Sequence, residues 1–143
     1  MMSSDTHNSL EKLHARLVDT ANGYREALDR TEDPVLRGFV QDIAALRQHH
    51  IDELARELAA EGVEPQRDGG WMTVVHESIM KVRDVFGTLD ASARDEILKG
   101  EKTILDLYGD TIGELADDTR LTNTVTRQRD ELRQGIAQEE KRV

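Results

Sequence analysis

The chain has 143 residues, enough for one domain with a sizeable core, and its 19 Lys and Arg against 29 Asp and Glu leave a net charge of −10. That acidity excludes a basic footprint for nucleic-acid phosphates and disfavours docking on anionic lipid. The absence of cysteine excludes disulfides, thiol chemistry and thiolate metal sites.

The opening residues, Met1 to His14, contain no apolar run of signal-peptide type, and no segment approaches the roughly 18 apolar residues of a membrane span. The expectation is a cytoplasmic protein that binds neither membrane nor nucleic acid. Regularly spaced Leu, Val and Ile, with only 3% aromatic residues, point to an all-α domain with a leucine-rich core spanning residues 1–143.

The first helix is expected over about 9–30, with Leu10, Leu13, Leu17, Ala21, Tyr24 and Leu28 on one face and Asp5 or Thr6 as cap. Asp19, Gly23 and Glu26 line its other face, which is expected to meet the third helix or another subunit. Asp33 and Pro34 suit the N-cap and first turn of a second helix over about 34–61, closed by Gly62. Its stripe Leu36, Val40, Ile43, Leu54, Leu58 is interrupted by Arg47 and His50.

Val63 to Gly70 forms the longest linker. A shorter, strongly apolar third helix is expected over about 71–86, from Trp71 through Val75, Ile79 and Val82 to Phe86, with His76 near its apolar face. A fourth, over about 91–116, carries Ile97, Ile104, Tyr108 and Leu115, and Glu101 stands among them where a leucine is expected. The fifth, over about 119–140, has the sparse stripe Leu121, Val125, Gln128, Leu132, Ile136.

The stretch from Tyr24 to Val40 echoes Tyr108 to Val125, each reading as a helical hairpin with an acidic turn. Two such hairpins make a four-helix bundle whose crossover connection contains the short extra helix. In that arrangement the fourth helix runs parallel to the second, which brings Glu101 near the level of Arg47. The two charges either pair inside the bundle, with Tyr24, Tyr108 or Gln128 completing their hydrogen bonds, or extend to solvent from the edge of the stripe. His76 is a further candidate for the polar core.

A carboxylate-bridged di-metal bundle needs two Glu-x-x-His pairs, and the chain has one, Glu11 to His14, which reads as an exposed N-terminal turn. A reduced metal site for Fe, Mn or Zn through His50, Glu53 and Glu101 is the alternative to the ion pair, and Arg47 opposes it by repelling a second cation. Nothing resembles a phosphate-binding glycine loop, a nucleophile elbow or a dinucleotide motif. No catalytic or organic-cofactor residues are therefore expected.

Several strings together resemble a family. Asp19-Thr-Ala-Asn-Gly23-Tyr24-Arg-Glu26-Ala27-Leu28, Asp33-Pro34-Val-Leu36, Arg47-x-x-His50-x-x-Glu53-Leu54, His76, and Gly100-Glu101 followed by Tyr108 are similar to the small bacterial ferritin-like proteins of domain-of-unknown-function family 2383. The resemblance covers about residues 10 to 138 and is poorest in the last helix, where Arg129-Asp130 stands in place of a common His-Asp pair. It implies a ferritin-like four-helix bundle and, by analogy with ferritin-like relatives, a stress-associated role. A non-catalytic structural or interaction protein that forms a homo-oligomer, a dimer, is the expected function.

Overall fold

The computed structural model describes residues 3–62, 91–115 and 118–141. Four helices make up these residues: α1 (Ser4–Arg30), α2 (Pro34–Ala60), α3 (Ala91–Glu114) and α4 (Thr119–Lys141). No strand occurs among the described residues. The helix expected over 71–86, with Trp71 and His76, lies outside them, as does the linker Val63 to Gly70.

Side chains set the helix ends. α1 starts earlier than the apolar stripe suggests, because the Ser3 hydroxyl caps it by accepting from the Thr6 amide at 3.2 Å; neither Asp5 nor Thr6 is the cap. Asp33 caps α2, accepting from the Val35 amide at 2.9 Å, and Pro34 fills the first turn, where no amide hydrogen is needed. Arg37 reaches back to the last carbonyls of α1, Leu28 O and Thr31 O, and so clamps the first hairpin.

α2 stops at Gly62, whose φ of 79° is a left-handed conformation that glycine adopts without a Cβ clash. Its amide donates to Ala59 O at 3.0 Å and closes the last turn. Asp118 repeats the Asp33 role for α4, accepting from the Leu121 amide at 3.1 Å. The two echoed acidic turns therefore carry their capping carboxylates at corresponding positions.

α1 packs on α2 and α3, while α4 packs on α3 and α2. Contacts between named residues fix the directions. Ser9 reaches Glu114 and Tyr24 reaches Glu101, so α1 and α3 are antiparallel. His50 reaches Glu131 and Glu57 reaches Arg120, so α2 and α4 are antiparallel too. Across the diagonal, Arg47 meets Glu101 and His50 approaches Tyr108, which makes α2 and α3 parallel.

The core follows the stripes: Leu10, Leu13, Leu17, Leu54, Leu58, Leu115, Leu121 and Val125 have no exposed surface. Most of the stabilisation of such a bundle comes from burying these apolar faces, since helices in proteins owe their stability mainly to the packing of an amphipathic face rather than to intrinsic propensity. Asp19 and Gly23, on the other face of α1, are buried as well, and Glu26 is half-buried. Among the described residues no helix is long and apolar enough to cross a membrane.

Candidate functional site

Midway along the bundle the leucine layers give way to polar side chains. On a helix, residues three and four apart share a face, so Arg47 and His50 are aimed inward with Ile43 and Leu54. Glu101 points inward with Ile97 and Ile104 for the same reason. The burial of these polar groups has to be matched by hydrogen bonds, because each unpaired one costs free energy.

Arg47 and Glu101 form an ion pair with both side chains 1% exposed. Arg47 donates through Nη2 to Glu101 Oε1 and through Nη1 to the Thr20 hydroxyl. The second Glu101 oxygen, Oε2, accepts from the Tyr24 hydroxyl. Three helices thus meet on one carboxylate. Burial works against the Arg47 charge, but Glu101 beside it, then Tyr24 and Tyr108, hold its pKa above the ordinary value. Burial, followed by the Glu101 charge, raises the Tyr24 pKa well above the usual range, so that hydroxyl keeps its proton.

A second group lies on the α2–α4 side. The Gln128 amide donates to Glu53 Oε1 at 2.7 Å and to the His50 carbonyl at 3.3 Å. With both its hydrogens used there, Gln128 Oε1 faces Tyr108, whose hydroxyl donates to it at 2.9 Å. Burial raises the Tyr108 pKa, which keeps this donor protonated.

His50 Nε2 lies 3.1 Å from Glu131 Oε1, and His50 Nδ1 lies 3.4 Å from the Tyr108 hydroxyl. Burial lowers the His50 pKa, although Glu131 pulls the other way. A neutral ring with its hydrogen on Nε2 donates to the Glu131 carboxyl oxygen.

Toward solvent, Arg127 joins Glu53 and Glu131, the latter at 3.0 Å. Burial alone raises the Glu53 pKa, but the bonds from Gln128 and Arg127 outweigh it and hold it below the usual value.

The structure therefore gathers Arg47, Glu101 and Tyr24 into one cluster, and Tyr108, Gln128, His50 and Glu53 into the next. His50, Glu53 and Glu101 do not converge as a ligand set: His50 and Glu53 direct polar atoms to Glu131, Gln128 and Arg127 on α4, while Glu101 directs its two oxygens to Arg47 on α2 and Tyr24 on α1. Among the described residues no group of three or more His, Asp and Glu side chains is gathered to hold a metal ion. His14 is 3% exposed and buried, not part of an exposed turn, and Glu11 beside it is half-buried.

Three participants carry no stripe signal. Thr20, half-buried, sits beside the apolar face of α1 and is seen only once Arg47 reaches it. Glu131 and Arg127 lie in an Arg- and Glu-rich run that reads as a solvated face. Their i, i+4 spacing was the available signal.

Chemically, the arrangement is a network in which Arg47, Tyr24, Tyr108 and Gln128 donate to acceptors on neighbouring helices. Glu101 has both oxygens engaged, one of them by a permanent cation. These features define an all-helical bundle with a polar layer across its core. A family model described as "Domain of unknown function (DUF2383)" matches residues 5–114, well over half of the chain. The chain belongs to that family. The match ends at the last residue of α3, so α4, with Gln128 and Glu131, lies beyond it. Neither the curated proteins nor the solved structures yield a match.

Proposed function

We propose that this chain is a ferritin-like bundle serving as a non-catalytic structural or interaction protein of the cytoplasm, assembled with copies of itself, with the Arg47–Glu101 pair holding its core in register. The observation that carries the reading is that both Glu101 oxygens are engaged from within, by Arg47 and Tyr24. In di-metal bundles, inward-facing carboxylates from all four helices surround two cations. Here a guanidinium supplies the cation at the centre, and its charge repels any metal ion brought to the same carboxylate.

The alternative, a reduced site for Fe, Mn or Zn on His50, Glu53 and Glu101, requires all three side chains to leave their present partners. Elemental analysis of protein purified without chelator or affinity metal tests the choice. Metal far below one equivalent, unchanged after reconstitution with Fe, Mn and Zn, is expected. Near one equivalent of metal, lost in a folded Glu101→Gln variant, overturns the reading.

A further inference from the structure

We propose that a second copy of this chain docks in the groove between α3 and α4, with the two-fold axis of the dimer running along the groove. The inference rests on the self-association read above and names the surface that carries it.

The groove has a volume of about 700 Å3. Its floor is Leu105 and Ile136 with the small residues Gly109 and Ala137, the last two exposed. A Cβ added at Gly109 meets nothing within 4 Å, so packing inside the chain does not call for a glycine there. Glycine in a helix interior lowers helix stability, while its bare backbone admits a neighbouring helix closely.

The rims carry the recognition. Asp106 and Asp110 stand on the α3 side, and Arg129 and Arg133 on the α4 side. Asp106 and Asp110 make no ion pair among the described residues. Arg129 and Arg133 share the single carboxylate of Asp130, at 3.3 and 3.6 Å, which leaves the α4 rim net positive. At the end of the groove the signs reverse, Lys102 on α3 lying 3.6 Å from Glu140 on α4.

Tyr108 meets Gln128 and Lys102 meets Glu140, so along this antiparallel pair Asp106 stands level with Arg133 and Asp110 level with Arg129. At every level, then, the two rims are of opposite sign.

Such a pattern selects one two-fold. An axis along the groove lays the partner's α3 over α4 at unchanged height, matching acid to base at both levels, and Lys102 to Glu140 at the end. An axis across the groove lays α3 over α3 and brings the acidic rims together. Isologous pairing therefore favours the first. At about 150 mM salt the screening length is about 8 Å, so the −10 net charge of each copy is screened while contact pairs are not.

Sedimentation velocity on the full chain at that salt, over a wide concentration range, tests the proposal. The wild type is expected to dimerise. Asp106→Arg with Asp110→Arg, and separately Arg129→Asp with Arg133→Asp, should each raise the dimer dissociation constant at least tenfold with helix content unchanged. Mixing the two variants should restore a dimer holding one of each, because each reversed rim then faces the other.

A wild type that stays monomeric overturns the self-association reading and this one together. A wild-type dimer indifferent to both reversals overturns the interface alone, as does a mixture that fails to re-form dimers. Should a reversal unfold the chain, Asp106→Asn with Asp110→Asn replaces it, with a severalfold weakening expected and an unchanged dimer counting against the interface.

Discussion

Arg47 on α2 donates to Glu101 on α3 across the diagonal of the bundle, so two helices that share no turn are joined at its centre. A pair of this kind adds little net stability, because removing two charges from water offsets most of their attraction. Taking away one partner alone is different, since it leaves the other charge buried without an opposite, at a cost of about 3–5 kcal/mol. Glu101→Ala is therefore expected to destabilise by that amount in urea unfolding. Adding Arg47→Met to it should recover most of the loss. Equal losses in the single and double variants would show that the pair is not coupled.

Gln128 is the hub of the second cluster, and its deletion strands several groups at once. Gln128→Leu leaves Glu53 Oε1 and the His50 carbonyl short of a donor, and leaves the Tyr108 hydroxyl only its longer 3.4 Å contact with His50 Nδ1. An unsatisfied buried polar group costs about 1–3 kcal/mol, so a loss of at least that size is expected by chemical denaturation. Tyr108→Phe on top of Gln128→Leu should cost less than it does in the wild type, because the weakly partnered hydroxyl goes with it. Additive losses in the two variants would contradict this coupling.

The stripes made the apolar core and the inward direction of Arg47, His50, Glu101 and Gln128 legible, because each sits at helical spacing among leucines. The level at which Arg47 and Glu101 stand came from counting along parallel helices, which works for long helices without breaks. What spacing could not give was the choice among partners. Tyr24 and Tyr108 both lie on core faces, yet Tyr24 reaches Glu101 and Tyr108 reaches Gln128. Thr20 and Glu131 were hidden for a different reason: a short hydroxyl and a surface carboxylate become partners only when a long side chain comes to them. The start of α1 was missed because a Ser cap precedes the apolar stripe by several polar residues.

His50 and Glu53 predict how acid acts on this bundle. The His50 pKa is lowered mainly by burial, so below the unfolded value of about 6.5 the unfolded chain takes up a proton that the native ring refuses. Its contribution is thus fully present above about pH 6.5 and is lost as pH falls through the lowered native value. Glu53 is held below the ordinary carboxylate range despite its burial, by Gln128 and Arg127. Its contribution persists above about pH 4.3 and is lost at lower pH still. The stability difference between wild type and His50→Gln should accordingly shrink as pH drops from about 7.5 to about 5. A difference that is flat or grows on acidification would place the His50 shift in the opposite direction.

Two glycines should respond to the same substitution with opposite signs. Gly62 ends α2 at φ 79°, where an L side chain brings its Cβ against the following carbonyl, so Gly62→Ala is expected to cost about 1–2 kcal/mol. Gly100 lies exposed within α3, and a Cβ built there meets nothing within 4 Å. Helical alanine has less conformational freedom to lose on folding, so Gly100→Ala should stabilise by about 0.5–1 kcal/mol. Urea midpoints of the two variants read both effects in one experiment. Because Gly100 neighbours Glu101, a loss in place of that gain would mean the α3 backbone must shift to accept a methyl group beside the buried ion pair.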